Sequence, residues 1–304
     1  MSSYEDSRWP RAGAWLAGDH VKGPKCKIAV LGAPLNKSIT PGRCDLAPAA
    51  VRSAMSRLST YDATHDVDVR KVQANDLGDL NISKSSPEEA FEQIRDGVKA
   101  ALKSNNAAVV LGGDNGVTRG GVHGLGVPLD KCGLVTLDAH LDLRETSVGL
   151  MNGNPVRALL EDGLPGGNIV QIGIAPFANS AEYMKVARDA GIEVVMIDKV
   201  REAGIEQALT DALDRLNYRT EAIYFDLDVD CLDRAFAPAC PGARPGGLSP
   251  HEAMTAAWIA GRHPKVRVMD LVEIDPEKDA NDVTCLAAGL FLLSLASGMV
   301  ERLS

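Results

Sequence analysis

The sequence contains no C-x-x-C pair, no run of basic residues, no internal repeat and no low-complexity stretch. Its six cysteines, Cys26, Cys44, Cys132, Cys231, Cys240 and Cys285, are dispersed, which fits reduced thiols in a cytoplasmic protein better than a disulfide frame. With 32 Lys and Arg against 41 Asp and Glu, the net charge is -9. The clustered cations that give a polyanion binder its phosphate affinity are missing, so no nucleic-acid partner is expected. The most apolar late segment, residues 286–300, is shorter than the ~20 residues a membrane span needs and reads as a buried terminal helix. The first residues, Met-Ser-Ser-Tyr-Glu-Asp, lack the apolar core of a signal peptide.

What is present is a chain of 304 residues, 45% hydrophobic and 24% charged, an ordinary composition for a globular protein with a sizeable core. Short apolar runs at 27–32, 107–111, 133–138, 168–174, 193–197, 222–228 and 266–273, with a less regular one at 67–80, read as strands. Segments with helical spacing lie between them, for example 87–103 behind Ser86 as cap. Nearly continuous apolar strands alternating with amphipathic helices predict an α/β fold, a mostly parallel sheet of about eight strands covered on both faces. With no linker apparent, residues 1–304 are expected to form one domain, 1–25 being an irregular arm.

In such a sheet, functional loops sit beyond the carboxyl ends of the strands. Residues 134–144 read L-V-T-L-D-A-H-L-D-L-R. Asp138, His140 and Asp142 are spaced two apart, so they share one face if the extended geometry persists. Alone, that array is as well explained by a solvated strand end. A second array at Asp228 and Asp230 changes the balance, because four carboxylates converging on one sheet edge would stay ionised only beside cations. Oxygen-rich ligands with one imidazole suit Mn²⁺ over Mg²⁺ or Zn²⁺, and a metal pair activates water for hydrolysis of a C–N or P–O bond.

The motifs G-G-D-N at 112–115, D-A-H-L-D at 138–142, N-G-N-P-V-R at 152–157 and D-V-D-C-L-D-R-A-F-A-P-A-C-P-G-A-R-P-G-G-L at 228–248 resemble the ureohydrolase family of arginase, agmatinase, guanidinobutyrase and formimidoylglutamase, over roughly residues 27–300. The resemblance implies a three-layer α/β/α, arginase-like fold with an eight-stranded parallel sheet and a homo-oligomer. It also implies two Mn²⁺ ions, with Asp138 and Asp228 bridging, His140 and Asp230 on one ion, and Asp142 on the other. Two positions depart from the commoner pattern. Asn115 stands where a histidine completes one ligand set, which predicts a weakened site. Asn152 stands where arginase-like members carry a proton-shuttling histidine.

The second departure, with D-L-R at 142–144, points to formimidoylglutamase. The expected reaction is hydrolysis of the linear amidine N-formimidoyl-L-glutamate to L-glutamate and formamide. Glu273 would hold the amidine nitrogens, and Asp138 and Asp228 would share in catalysis. Arg144, Asn152 and Arg157 are the substrate-binding candidates, the arginines suiting a dicarboxylate through bidentate pairing. Two other readings stand beside this one, a guanidino-acid hydrolase releasing urea and a ureohydrolase-like pseudoenzyme with a binding role. For Arg144 a structural reading, as a partner of Glu145 or Asp142, weighs nearly as much, and it outweighs the functional one for Arg157 as a helix-surface residue, Asp114 and Asp226 as support for the ligands, and Cys231 and Cys240 as buried thiols. Among the remaining histidines only His123 lies close in sequence to a metal loop.

Overall fold

A run of Val, Ile, Leu and Ala with no polar face can form a strand only where both faces of the sheet are covered. In a computed structural model that describes residue 6, residues 8–24 and residues 26–302, this is what those runs do. The strands are β1 (Cys26–Ala33), β2 (Tyr61–Asp62), β3 (Val67–Asp68), β4 (Val72–Asp79), β5 (Ala107–Gly112), β6 (Cys132–Leu137), β7 (Ile169–Ile174), β8 (Glu193–Met196), β9 (Ala222–Asp228) and β10 (Val266–Val272). Every residue of β5, β6, β7 and β9 is buried. Eight of the strands form one sheet in the order β4-β1-β5-β10-β9-β6-β7-β8, with parallel pairing throughout. The short β2 and β3 make a separate antiparallel hairpin.

Alternate side chains of each strand enter separate cores. Ile28, Val30, Val109 and Leu111 pack on one face, while Ala29, Leu31, Ala108 and Val110 pack on the other. Helices cover both faces, and their starts are written in the sequence. Pro87–Leu102 begins with a capping box between Ser86 and Glu89, and Pro250–Arg262 with one between Ser249 and Glu252. Each box satisfies two backbone N–H groups that a helix terminus otherwise leaves without partners. The fold is thus the three-layer α/β/α arrangement expected from the motifs.

Three local expectations need correction. The arm at 1–25 is not wholly irregular, because Ala12–Leu16 is a short helix. It is fixed by Trp15, which is fully buried and whose indole N–H donates to the Val72 carbonyl at 2.8 Å. Residues 67–80 are not one strand but β3, a 3₁₀ turn at Val69–Lys71, and β4. As an edge strand β4 is half covered, so polar residues interrupt its pattern. The terminal helix is longer than its apolar segment suggested. Val283–Glu301 has the length and apolarity to cross a membrane, but 78% of its most apolar window is buried inside the protein, where it packs on Pro250–Arg262.

Candidate active site

Four adjacent strands, β5, β10, β9 and β6, end together in the middle of the sheet. Asp114 and Asn115 follow β5, Glu273 follows β10, Asp228 closes β9 with Asp230 in the turn behind it, and Asp138, His140 and Asp142 follow β6. The array first suggested by a period of two is therefore assembled by a loop, not by a continuing strand, since β6 stops at Leu137. Asp142 and Glu273 adopt left-handed backbone conformations, with φ of 50° and 65°. Non-glycine residues rarely do so, and such strain collects where side-chain placement matters more than local comfort.

Hydrogen bonds lock the acids to one another. The Asp138 carboxylate accepts from the His140 backbone N–H at 2.6 Å, Asp230 from the Ala139 N–H at 2.9 Å, and Asp228 from the Asp230 N–H at 2.8 Å. His140 Nδ1 lies 2.6 Å from Asp230 Oδ2. Glu273 Oε1 accepts from the Asn115 N–H at 2.8 Å and from Asn152 Nδ2 at 3.1 Å. Asn152 is itself oriented by the Ile39 N–H, which donates to its Oδ1 at 2.9 Å.

Burial and mutual repulsion dominate the electrostatics. Burial first, then the charge of Asp230, pushes Asp138 up to about 7, and burial, then Asp114, pushes Glu273 up to about 8. Asp142 and Asp228 are raised well above the carboxylate range, by burial and then by Asp138 and Asp230 respectively. For His140, burial disfavours the charged form, but Asp230 and Asp138 outweigh it and hold the ring up to about 11.

Above this floor opens a cavity of about 370 Å³, lined by His140, Asp142, Asp228, Asp230 and Glu273 below and by Arg144, Asn152 and Arg244 on its walls. Asp138 and Asn115 are buried directly beneath, joined to the lining by the bonds above and by Asn115 Nδ2 donating to Asp142 Oδ2 at 2.5 Å. Of the candidate site residues, Arg157 is the one whose side chain reaches neither the cavity lining nor the acids beneath it. Its Nε donates to Glu161 Oε1 at 2.7 Å, one helical turn on, as the helix-surface reading anticipates. Among the described residues Arg144 pairs with neither Glu145 nor Asp142, whose carboxylates are met by Ser147 and Asn115. Asp114 braces the turn, accepting from the Gly116 N–H at 2.9 Å and from the Lys37 N–H. Asp226 is fully buried outside the lining, its pKa raised well above normal by burial and then by Asp270. His123 is turned away, its Nε2 lying 2.9 Å from Asp162 Oδ2, and all six cysteines are buried free thiols.

Three contributors went unnoticed in the sequence. Arg244 stands inside a quoted motif, A-R-P-G-G, without a neighbour to mark it. Asn179 accepts from the Leu141 N–H at 2.9 Å and donates to the Ala139 carbonyl at 3.0 Å, bracing the 138–142 loop; it has no sequence signal. Thr118 bridges Asn115 Oδ1 at 2.7 Å and Asp270 Oδ2 at 2.9 Å, and this link becomes visible only once β5 and β10 are side by side.

These residues fit a divalent metal. Asp138, His140 and Asp230 each offer a donor atom within 4.8 Å of the others, and Asp138 Oδ2 is buried without a hydrogen-bond partner. Such an atom, in so acidic a pocket, calls for a cation. Asn115 fits as well. The Thr118 hydroxyl has one proton and faces two acceptor oxygens. With the amide reversed, Thr118 would accept from Nδ2 and pass its proton to Asp270, leaving Oδ1 to face the site beside Asp142.

Comparison with known proteins agrees with this geometry. The family model described as "Arginase family" matches residues 26–297. A formimidoylglutamase of Halalkalibacterium halodurans is 33% identical over 276 residues, covering 89% of this chain and 86% of that one. The crystal structure of formimidoylglutamase from Bacillus subtilis superposes with a TM-score of 0.89 at 29% identity, covering 98% of this chain and 95% of that one. Trypanosoma cruzi formiminoglutamase, a structure whose name includes Mn²⁺, superposes at 0.86 with 26% identity, covering 97% and 99%.

Proposed function

This chain belongs to the arginase family, and we propose that it hydrolyses the C–N bond of a linear amidine, N-formimidoyl-L-glutamate, to L-glutamate and formamide. The observation that carries the reading is the arrangement of the cavity, a buried acidic floor with Glu273 fixed in it and arginine on the wall above. A cation at one end and carboxylates at the other is what such a cavity selects, and the similarity to formimidoylglutamases supports that substrate.

We assign two Mn²⁺ ions to the floor, where Asp138, His140, Asp142, Asp228, Asp230 and Asn115 would hold them. When bound, such a pair supplies Lewis acidity and water acidified enough to attack at neutral pH. The chain's own residues do the rest. Glu273 Oε1 is occupied by Asn115 and Asn152, so Oε2 is left to accept from the amidinium N–H groups. Asn152 has no proton to relay near neutral pH, and its work is to orient Glu273. Arg144 takes a substrate carboxylate by charge-assisted hydrogen bonds. Arg157, paired with Glu161, is left out of this assignment. We further propose that residues 1–304 act as one cytoplasmic domain that assembles into a homo-oligomer, as the family resemblance implied, the buried thiols fitting a reducing compartment.

The test is direct. Purified protein loaded with Mn²⁺ should release formamide from N-formimidoyl-L-glutamate. Release of urea from 4-guanidinobutyrate in its place would move the assignment to a guanidino-acid hydrolase, and no turnover of either would reject the reading.

A further inference from the structure

We propose that Arg244 is the second guanidinium of a two-arm carboxylate clamp, with Arg144 the first, so that the cavity takes amidines bearing two carboxylates. The proposal rests on the amidine reading above and deepens it. It begins from a contrast among the arginines. Arg43, Arg52, Arg119, Arg157 and Arg215 all meet a carboxylate within ion-pair distance. Arg144 and Arg244 meet none among the described residues, and neither do Arg188, Arg219, Arg234 and Arg267, but of these only Arg144 and Arg244 line the cavity above the acidic floor. An unpaired guanidinium beside so many carboxylates is one that its backbone holds away from them.

The backbone does hold them. Arg144 lies over Gly153, where a Cβ would stand 2.8 Å from its Cδ and 3.1 Å from its Nε. Its own N–H donates to the Gly153 carbonyl at 3.1 Å. Arg244 is carried on a different loop, and that loop is wound around Arg234. The Arg234 Nη1 donates to the carbonyls of Cys240 at 3.1 Å, Pro241 at 3.4 Å and Ala243 at 3.3 Å, and the Arg234 backbone N–H donates to the Arg244 carbonyl at 3.0 Å. The loop also rests on the floor, for a Cβ on Gly242 would lie 2.5 Å from Asp230 Oδ2. Both arginines are therefore mounted on fixed backbone in register with the acids below.

A guanidinium has five N–H donors. The Arg244 Nη1 gives one bond, to the Gly242 carbonyl, and both arginines are exposed and line the cavity, so their remaining donors are open to a ligand there. The resulting field runs from negative at the floor to positive at the rim. A substrate with an amidinium at one end and two carboxylates at the other aligns along it, each carboxylate meeting one guanidinium. A diamine or a cationic guanidine meets the rim with the wrong sign.

The experiment compares three substrates on the Mn²⁺-loaded enzyme: N-formimidoyl-L-glutamate with two carboxylates, N-formimidoyl-4-aminobutyrate lacking the α-carboxylate, and N-formimidoylglycine lacking the side-chain carboxylate. Arg244→Ala should lower kcat/KM on the diacid by roughly ten- to hundredfold, the scale of a charge-assisted hydrogen bond, and chiefly through KM. The loss should be at least tenfold greater on the diacid than on one of the two monoacids, and Arg144→Ala should spare the other. Equal losses on all three substrates, or none, would overturn the clamp. An unchanged thermal midpoint shows that the variant folds, as expected for an exposed side chain. Should the wild-type protein turn over none of the three, the amidine reading fails on its own account, and the clamp is then read by calorimetry with L-glutamate. Weaker binding by Arg244→Ala supports it, and unchanged or absent binding rejects it.

Discussion

The two sides of the acidic floor are held in different ways. On the side of His140, each carboxylate is tied to a neighbouring backbone N–H, and the imidazole sits against Asp230. That side offers an imidazole, oriented by Asp230 and a stronger donor than an amide once its proton is given up. On the side of Asn115 the Asp142 carboxylate meets, among the described residues, one hydrogen-bond donor, a neutral amide, Asp142 sits on a left-handed backbone, and the amide's orientation depends on Thr118 and, through it, Asp270. One half of the site is organised before any cation arrives, while the other is completed by it. Two ions bound to this floor are thus expected to differ in affinity, the looser one beside Asn115.

The largest effect should come from removing what both halves share. Asp138→Asn is expected to cut formamide release by roughly 10³-fold or more, the scale of losing a principal electrostatic group, with both ions depleted by elemental analysis. The metal-free variant should melt no lower than the wild type, because the change removes a buried charge. Retention of both ions would break the claim that Asp138 joins the halves. Next, stepwise Mn²⁺ titration of the wild-type protein should resolve two classes of site differing by about tenfold or more, the range over which the groups supporting a ligand act. One class of equal affinity would erase the asymmetry.

Thr118→Val keeps the shape and deletes the hydroxyl. It should weaken the looser site by about tenfold and leave the tighter one alone, and Thr118→Ser should restore it. An equal effect on both sites would show that Thr118 serves the fold and not Asn115. The smallest effect concerns the scaffold, away from either half. Burial would raise the pKa of Asp162, but hydrogen bonds from His123 and Arg119 outweigh it and lower the group to about 2. A depressed folded pKa stabilises above the unfolded value, here the ordinary 3.8, and that contribution fades as pH falls toward 2. Asp162→Asn should therefore lower the thermal midpoint at neutral pH and flatten its decline between about pH 4 and 2, with both metal affinities unchanged.

Much of this site was legible because it is written at strand ends. The runs at 107–111, 133–138 and 222–228 declare buried strands through their lack of any polar face, and the acids that follow them mark where the sheet stops. What was hidden depends on neighbours that are distant in sequence. Thr118 meets Asp270 across 152 positions, and Asn152 meets Glu273 across 121. Arg157 misled for a local reason, since N-P-V-R lies beside the site in sequence, but Pro155 starts a helix whose turn carries the arginine to Glu161. β4 was blurred because an edge strand needs no continuous apolar run, and the helix at Ala12–Leu16 because its anchors, Ala12, Trp15 and Leu16, are tertiary contacts.

The mounting of Arg144 on Gly153 has an evolutionary consequence. Arg144, proposed to meet the substrate's carboxylate, rests on a bare stretch of main chain, pairs with no acid among the described residues, and stands clear of both cores. A mutation at position 144 can therefore redirect the enzyme to a new molecule without unsettling the architecture, whereas a side chain at position 153 would tilt whatever stands above it. On this assignment selectivity and durability rest on different residues, so a change of substrate through the exposed loops is expected to leave the foundations as they were.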